Sequence, residues 1–186
     1  DLSGWKQVHK TDAWDVVDGD IFGRPRRKRE RGFGWLQTDR SFMNFEFEFE
    51  YYLEPGANSG VFLRTVPSPV HSGASQLEIQ LLDDNDPKFL GKLKDGQSAG
   101  SIYGIVGPKP PAQSRQRQYN KMRIRAVGPQ ITVHLNGRQI LDVDLHEYRR
   151  QIAQRFQYRQ PGPLALQWHG ERIRFRNLKV RELPLP

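Results

Sequence analysis

Cysteine is absent from the 186 residues of this chain, and methionine occurs only twice. Disulfide bonds and thiolate chemistry, whether catalytic or metal-binding, are therefore excluded. The lack of cysteine leaves the cellular compartment open, because exported and cytoplasmic proteins can both do without it. A chain of this length buries roughly two-thirds of its unfolded surface, so it needs no covalent cross-link to fold.

Long hydrophobic runs are also missing, and no apolar stretch approaches the roughly 20 residues that a membrane-spanning helix needs. The sequence starts at Asp1 rather than at methionine. We interpret this start as the result of signal-peptide removal or of truncation. The expectation is an exported protein, periplasmic or extracellular, with no membrane insertion.

Most of the net positive charge lies in one segment. Residues 24–31 hold six cations and one anion, a local charge of +5, so only +3 of the net +8 belongs to the rest of the chain. Proteins that bind nucleic acids interleave such cations with aromatic residues, whereas this segment has none before Phe33. We therefore expect no nucleic-acid binding and interpret the segment as a solvated insertion between residues 21–22 and a strand near Trp35. Because its cations repel one another, we expect its tip to be mobile unless an anion holds it. A role in steering anionic substrates or in binding polyanions is the alternative.

Alternation of apolar and polar residues predicts β-strands along most of the chain. Residues 44–53 are the clearest case, because four aromatic residues occupy one face and three glutamates the other. The Asn136-Gly137 dipeptide is a strong signal for a two-residue hairpin turn. Helix is conceivable only over residues 147–156. Further strands are predicted over residues 60–66, 77–82, 121–127, 131–135, 139–145, 164–168 and 172–180.

These short strands, separated by glycine- and proline-containing turns, predict an all-β jelly-roll sandwich. Two antiparallel sheets would pack face to face in a single domain that spans residues 1–186. The glutamates of residues 46–50 are expected to pair with arginines across neighbouring strands on a solvated face. The predicted shared core contains Phe45, Phe47, Phe49, Ile173 and Phe175.

A strand with the pattern Glu78-x-Gln80-x-x-Asp83 is the most informative segment. Glu78 and Gln80 share one face of a regular strand, and a β-bulge would bring Asp83 to that face as well. The spacing resembles the Glu-x-Asp-x-x-Glu strand of laminarinase-type glucanases, with Gln80 and Asp83 as departures. Two close carboxylates can serve as an acid and base pair. The alternative is that Glu78 pairs with an arginine and Asp83 only opens the following loop.

The loop that follows contains Asp83-Asp84-Asn85-Asp86, a set of hard oxygen ligands of the kind that Ca²⁺ prefers. It lacks the ordered spacing and the glycine of an EF-hand. We favour a plain loop over a calcium site. A divalent cation nevertheless stays open as a possible cofactor.

Three further residues are candidates for site chemistry. Arg64 follows Gly56 and Gly60 and could hold an oxyanion or a sugar hydroxyl, or form a cross-strand salt bridge. Tyr103 could stack on a sugar or donate its phenol proton. His169 stands beside a glycine at the end of a strand, where exposure is expected, although a single histidine is more often structural than catalytic.

Segments that carry a family resemblance occur along nearly the whole chain. They are residues 14–19, 44–47, 57–64, 78–83, 100–103, 119–120, 135–137, 166–170 and 173–178. Taken in order, these segments resemble the 3-keto-disaccharide hydrolase domain family of bacterial secreted proteins. Two features depart from the family pattern: Tyr119 stands where a tryptophan is usual, and residues 24–31 are additional.

The resemblance implies a concanavalin A-like lectin/glucanase fold with a sugar cleft on its concave sheet. It also implies hydrolysis of glycosides whose glucose ring carries a 3-ketone. Because the ketone acidifies the C2 proton, a base can remove it, donors or a cation stabilise the enolate, and the C1 substituent leaves with a proton. Water then adds to the enone.

This reaction needs one base, one oxyanion clamp and one acid. Glu78 or Asp83 could be the base, Arg64 or a divalent cation the clamp, and His169 or Tyr103 the acid. All of them are expected to line one cleft. The main alternative is a lectin-like module that binds sugar without turnover. Substrate-binding roles are expected for Asn58, Gln80, Asn120 and Gln167.

Overall fold

The chain folds into two antiparallel β-sheets that enclose one hydrophobic core, in a computed structural model that describes residues 1–9, 12–27, 32–65, 77–152 and 160–184. The strands are β1 (Trp5–Val8), β2 (Trp14–Val17), β3 (Asp20–Gly23), β4 (Gly34–Phe42), β5 (Phe45–Leu53), β6 (Asn58–Leu63), β7 (Leu77–Leu82), β8 (Asn120–Val127), β9 (Gln130–Leu135), β10 (Arg138–Asp144), β11 (Gly162–Trp168) and β12 (Ile173–Glu182).

One sheet has five strands in the order β1-β4-β11-β6-β7, and the other has seven in the order β10-β9-β8-β5-β12-β3-β2. The predicted all-β sandwich is thereby confirmed. Among the residues that the structure describes, helix is limited to a 3-10 turn, Leu145–Tyr148, and to α1, Arg149–Ile152. Residues 147–156, over which helix was conceivable, overlap them, but the end of that range lies outside the described residues. Within the described part of the chain, no helix has the length and apolarity needed to cross a membrane.

The core prediction is confirmed in the strand that alternates most strictly. Phe45, Phe47 and Phe49 of β5 are at most 1% exposed, and Ile173 and Phe175 of β12 are buried beside them. The rings of Phe49 and Phe175 lie 5.9 Å apart. Burying a phenylalanine side chain contributes about 2–3 kcal/mol, so this row is a large part of the driving force for packing the sheets together.

The opposite face of β5 is solvated and carries cross-strand ion pairs, two with the expected arginines and one with a lysine. Its three glutamates lie between the cations of β8 and β12, the strands on either side. The Arg176 guanidinium holds the pKa of Glu50 below its ordinary value. The ion pairs are Glu46 with Arg181 at 3.1 Å, Glu48 with Lys121 at 2.9 Å and Glu50 with Arg176 at 2.7 Å.

β4 contains Trp35, near which a strand was expected, whereas β1, β2 and β3 were not predicted. Each of these three strands has only four residues, too few for alternation to be read. The β2–β3 connection did carry a signal, the Asp18-Gly19 dipeptide, whose φ values of +54° and +85° are those of a type I′ hairpin turn. β6 runs from Asn58 to Leu63 rather than over residues 60–66, and residue 66 is outside the described part.

The basic segment lies between β3 and β4, as predicted, and its beginning is anchored. Arg24 and Arg26 reach Asp15 of β2 at 2.7 and 2.6 Å, on the outer face of the seven-stranded sheet. The Arg26 hydrogen bond, with that from Arg24, lowers the pKa of Asp15 to about 2. The predicted mobile tip corresponds to residues 28–31, which lie outside the described residues.

Candidate functional site

The outer face of the five-stranded sheet carries polar side chains that are unusually well buried. Along β7, Leu77, Ile79 and Leu81 face the core, so the alternation directs Glu78 and Gln80 to the other face. These two side chains are only 4% and 3% exposed. Polar groups with so little solvent access, on a face directed away from the sandwich core, indicate a binding cleft.

Most of the predicted site residues meet in this cleft. β6 contributes Asn58, β11 contributes Gln167, and His169 follows immediately after β11. Phe33, which sequence reasoning did not select, lies just before β4 and joins them. The described lining consists of Phe33, Asn58, Glu78, Gln80, Tyr103, Gln167 and His169.

Main-chain hydrogen bonds place Tyr103 beside Glu78. The Tyr103 amide donates to the Glu78 carbonyl at 2.9 Å, and the Gln80 amide donates to the Ser101 carbonyl at 3.0 Å. Residues 100–103 therefore extend the sheet beyond the edge of β7. Because pairing fixes the direction of alternate side chains, the phenol of Tyr103 enters the same cleft as Glu78.

Glu78 supplies the only carboxylate among the described residues that line the cleft. Its side chain leans over Gly60 of β6, where a Cβ atom would come within 2.7 Å of its Cγ. Burial raises the pKa of Glu78 to about 8. Such a carboxyl group is neutral near pH 7 and acts as a strong base once it is deprotonated, above pH 8. Groups with pKa values perturbed in this way mark reactive sites.

Two amide oxygens in the cleft have no hydrogen-bond donor among the described residues. They are Oδ1 of Asn58 and Oε1 of Gln167, and both are shielded from solvent. The main chain around them is fixed, since the Ser59 hydroxyl of β6 donates to the Gln167 carbonyl of β11 at 2.6 Å. Buried acceptors without donors favour a ligand that brings hydroxyl groups.

His169 and Phe33 form the rim of the cleft. Their rings meet edge to face with centroids 4.5 Å apart, and Phe33 is 45% exposed. Behind Phe33, the ring of Trp35 stacks at 6.4 Å. The rim thus combines a proton-transfer group with an exposed aromatic face, whereas the floor is made of amides and one carboxyl group.

The expected β-bulge is not present, and Asp83 does not join Glu78. The pairing of β7 with β6 runs without a register shift from Leu77 to Leu82. Asp83 follows the strand and accepts hydrogen bonds from the Gly56 amide at 3.1 Å and from Gln116 Nε2 at 2.9 Å. Since it closes a loop outside the cleft, the alternative interpretation of Asp83 as a loop residue is the correct one.

Arg64 also lies away from the cleft. Its φ of +50° breaks the alternation at the end of β6 and turns the side chain toward the seven-stranded sheet. There Nε donates to the Met43 carbonyl at 2.6 Å and a terminal nitrogen to the Gly128 carbonyl at 2.7 Å. Burial lowers the pKa of Arg64 to about 10. The residue ties strand ends together and is not placed to hold an oxyanion in the cleft.

Asn120 is likewise structural in position. Its Oδ1 accepts from the Arg115 amide at 2.7 Å, and its Nδ2 donates to the Arg115 carbonyl at 2.9 Å. These bonds close the loop before β8. Asn120 is not among the described residues that line the cleft with Glu78, and its expected role in substrate binding stays a prediction.

The aspartates of the acidic loop accept separate hydrogen bonds from main-chain amides and do not form one ligand set for a metal ion. Asp84 accepts from the Ala99 amide at 3.0 Å, and Asp86 accepts from the Lys88 amide at 2.8 Å. Burial raises the pKa of Asp84 to about 6. Across the described ranges, no group of three or more histidine, aspartate or glutamate side chains is arranged to hold a metal ion.

Comparison with known proteins identifies relatives along nearly the full length. The family model for 3-keto-alpha-glucoside-1,2-lyase-like domains matches residues 1–181. A curated 3-keto-disaccharide hydrolase from Bacteroides thetaiotaomicron is 24% identical to this chain. The match covers 98% of this chain and 75% of that protein.

Solved structures of similar fold include a candidate glycosyl hydrolase from Parabacteroides distasonis. It is 25% identical, with a TM-score of 0.77, and the match covers 96% of this chain and 99% of that one. The carbohydrate-binding module CBM66 from Bacillus subtilis matches with a TM-score of 0.65 at 13% identity, over 96% of both chains. The second likeness shows the fold alone, and it agrees with the predicted jelly roll.

Proposed function

This chain belongs to the family of 3-keto-alpha-glucoside-1,2-lyase-like domains, and we propose that it cleaves the glycosidic bond of 3-keto-glucosides, including 3-keto-disaccharides. The observation that carries the proposal is the buried Glu78 carboxyl group in a cleft whose other described lining is amides, a phenol, an imidazole and a phenyl ring. Export to the periplasm or the cell exterior is part of the same proposal.

The reaction proceeds by elimination followed by hydration. A base takes the proton from C2, and the electron pair of that C–H bond forms an enolate with the C3 ketone. The enolate then expels the C1 oxygen, which leaves as an alcohol after receiving a proton. Water adds to C1 of the enone while C2 regains a proton, so the net change is hydrolysis to a 3-keto sugar and the free alcohol.

Glu78 is the base in this scheme. A carboxylate with a pKa of about 8 is a stronger base than an ordinary glutamate, because the dry site destabilises its charge until it takes the substrate proton. Asp83 has no part in this step, since it lies outside the cleft. The single carboxylate suits elimination, which needs one base and not the carboxylate pair of direct glycoside hydrolysis.

Neutral donors stabilise the enolate. No arginine or lysine is found among the described residues that line the cleft. Groups other than Arg64 therefore stabilise the enolate oxygen in this scheme. The side-chain amides of Gln80 and Gln167 and the phenol of Tyr103 are the donors that the cleft contributes in this scheme. Such fixed dipoles are effective in a site with little water, where they need no reorganisation as charge develops.

His169 at the rim is the acid that protonates the leaving oxygen. The buried floor then holds the oxidised ring, and the leaving group points toward His169 and Phe33. The described lining encloses about 180 Å³, less than the roughly 300–1,000 Å³ of pockets for drug-sized ligands. This size favours one sugar ring in the cleft and a leaving group near the exposed rim.

The test is incubation with p-nitrophenyl 3-keto-glucoside, p-nitrophenyl glucoside and 3-keto-disaccharides with different leaving groups, with release of sugar or phenol as the readout. We expect release from the keto substrates alone, because only they have an acidic C2 proton. Binding of either sugar without release from any substrate would favour the alternative, a lectin-like module. Release from the unoxidised glucoside would contradict the elimination route.

A further inference from the structure

A chain of charged groups stands behind His169, outside the set of residues that sequence reasoning selected. Glu171 follows His169 by two residues, after Gly170, whose φ is +96°. Its Oε1 lies 2.7 Å from Nζ of Lys88, which comes from the loop after β7. The same ammonium donates to the Gly56 carbonyl at 3.1 Å. Lys88 thereby fixes one oxygen of the Glu171 carboxylate.

The other oxygen of Glu171 is directed differently. Oε2 lies 3.9 Å from Nδ1 of His169, is shielded from solvent and accepts no hydrogen bond from any described residue. A buried carboxylate oxygen without a donor is costly, and the nearest imidazole N–H would relieve that cost. Bonds of this kind are often long in unliganded sites and shorten when substrate binds.

We propose that Glu171, held by Lys88, is a positioning residue that orients His169 for proton donation to the leaving oxygen. This inference rests on the proposed function. The carboxylate keeps a proton on Nδ1, so that Nε2 is the nitrogen presented to the cleft. The imidazolium that donates from Nε2 is stabilised by the same carboxylate, and after donation the neutral ring retains its Nδ1 proton.

Among the described residues, the other groups around His169 do not offer a competing arrangement. Phe33 contacts the ring by its edge and has no acceptor. Glu78 and Tyr103 line the same cleft from β7 and its extension, on the substrate side of the ring. Lys88 acts on His169 only through Glu171, and its charge moderates that of the carboxylate.

The arrangement adds little to the stability of the fold. Side chains of Lys88 and Glu171 are 52% and 31% exposed, and ion pairs with such access to water contribute little to stability. Replacing Glu171 should therefore leave the fold intact. A loss of activity in such a variant can then be assigned to His169 and not to unfolding.

The experiment compares two leaving groups in Glu171→Leu. Help from an acid matters for a sugar alcohol, which leaves poorly, and hardly at all for p-nitrophenol. We expect kcat for a 3-keto-disaccharide to fall about 10- to 100-fold, and kcat for p-nitrophenyl 3-keto-glucoside to fall less than about threefold. Lys88→Met should show the same pattern to a smaller degree. Glu182→Leu, which breaks the exposed pair with Arg40, is the matched control and should change neither rate.

A second readout does not depend on turnover. In protein with 15N-labelled histidine at a pH where the ring is neutral, His169 should carry its proton on Nδ1, and Glu171→Leu should shift it toward Nε2. Equal losses for both leaving groups, or an unchanged tautomer, would overturn the proposal. If the tautomer changes as expected but no keto-glycoside is cleaved, the His169–Glu171 contact stands and the proposed function fails.

Discussion

Gly60 lies directly beneath the carboxyl group of Glu78, one strand away. A Cβ atom at Gly60 would stand 2.7 Å from Glu78 Cγ and 2.8 Å from its carboxyl carbon, and it would overlap Oε1. The missing side chain on β6 leaves the space that the glutamate occupies, and in this position Glu78 is only 4% exposed. The raised pKa of Glu78 is therefore a consequence of a glycine on the neighbouring strand.

The first prediction is that Gly60→Ala displaces Glu78 and lowers kcat/KM on the order of 100-fold, because a shift of about 1 Å misplaces the base. The check is kinetics together with thermal unfolding. In a Glu78→Ala background the same substitution should cost almost no stability, since the overlapping atoms are gone. An equal loss of stability in both backgrounds would show that Gly60 is needed for another reason.

The second prediction concerns stability and pH. The pKa of Glu78 is about 8 in the folded chain against an ordinary value of 4.5, so between these values the unfolded chain gives up a proton that the folded chain keeps. Stability should therefore fall as pH rises from 4.5 to 8, by on the order of 5 kcal/mol, and level off above. In Glu78→Gln this decrease in the free energy of unfolding between pH 4.5 and 8 should be absent, as measured by urea unfolding at several pH values. Parallel slopes for both proteins would contradict it.

The third prediction concerns the pH dependence of turnover. If Glu78 is the base, its deprotonated form is required, so kcat/KM should rise with pH through about 8. A rate that falls through the same pH would assign Glu78 the role of acid. The profile is best measured with a p-nitrophenyl substrate, whose leaving group needs no acid.

The fourth prediction separates a structural role from a catalytic one for Arg64. Arg64→Met keeps most of the side-chain volume but leaves the Met43 and Gly128 carbonyls without these donors. Stability should drop by about 2 to 3 kcal/mol, while kcat of the folded fraction stays close to that of the unchanged chain. A large loss of kcat at full stability would restore Arg64 as the oxyanion clamp.

Strict alternation allowed β5 and β7 to be predicted. It also indicated which face Phe45 to Tyr51 occupy and that Glu78 and Gln80 share a face, because the two-residue period of a strand is a local property of the sequence. It failed where the backbone leaves the regular strand. Arg64 turns at a positive φ, and Asp83 lies one residue beyond β7, where spacing no longer defines a face. Phe33 and Glu171 enter through loops whose course depends on the whole sandwich. No local pattern could have indicated them.

The most direct test of the central claim uses 3-keto-glucoside that carries deuterium at C2, cleaved by the unchanged chain and by Glu78→Gln. Elimination breaks the C2–H bond, so the deuterated substrate should react more slowly. In ordinary water, the first 3-keto sugar formed should have lost its C2 deuterium. Glu78→Gln should remain folded and release no product. Equal rates for both substrates with the label retained at C2, or full activity in Glu78→Gln, would contradict proton abstraction by Glu78.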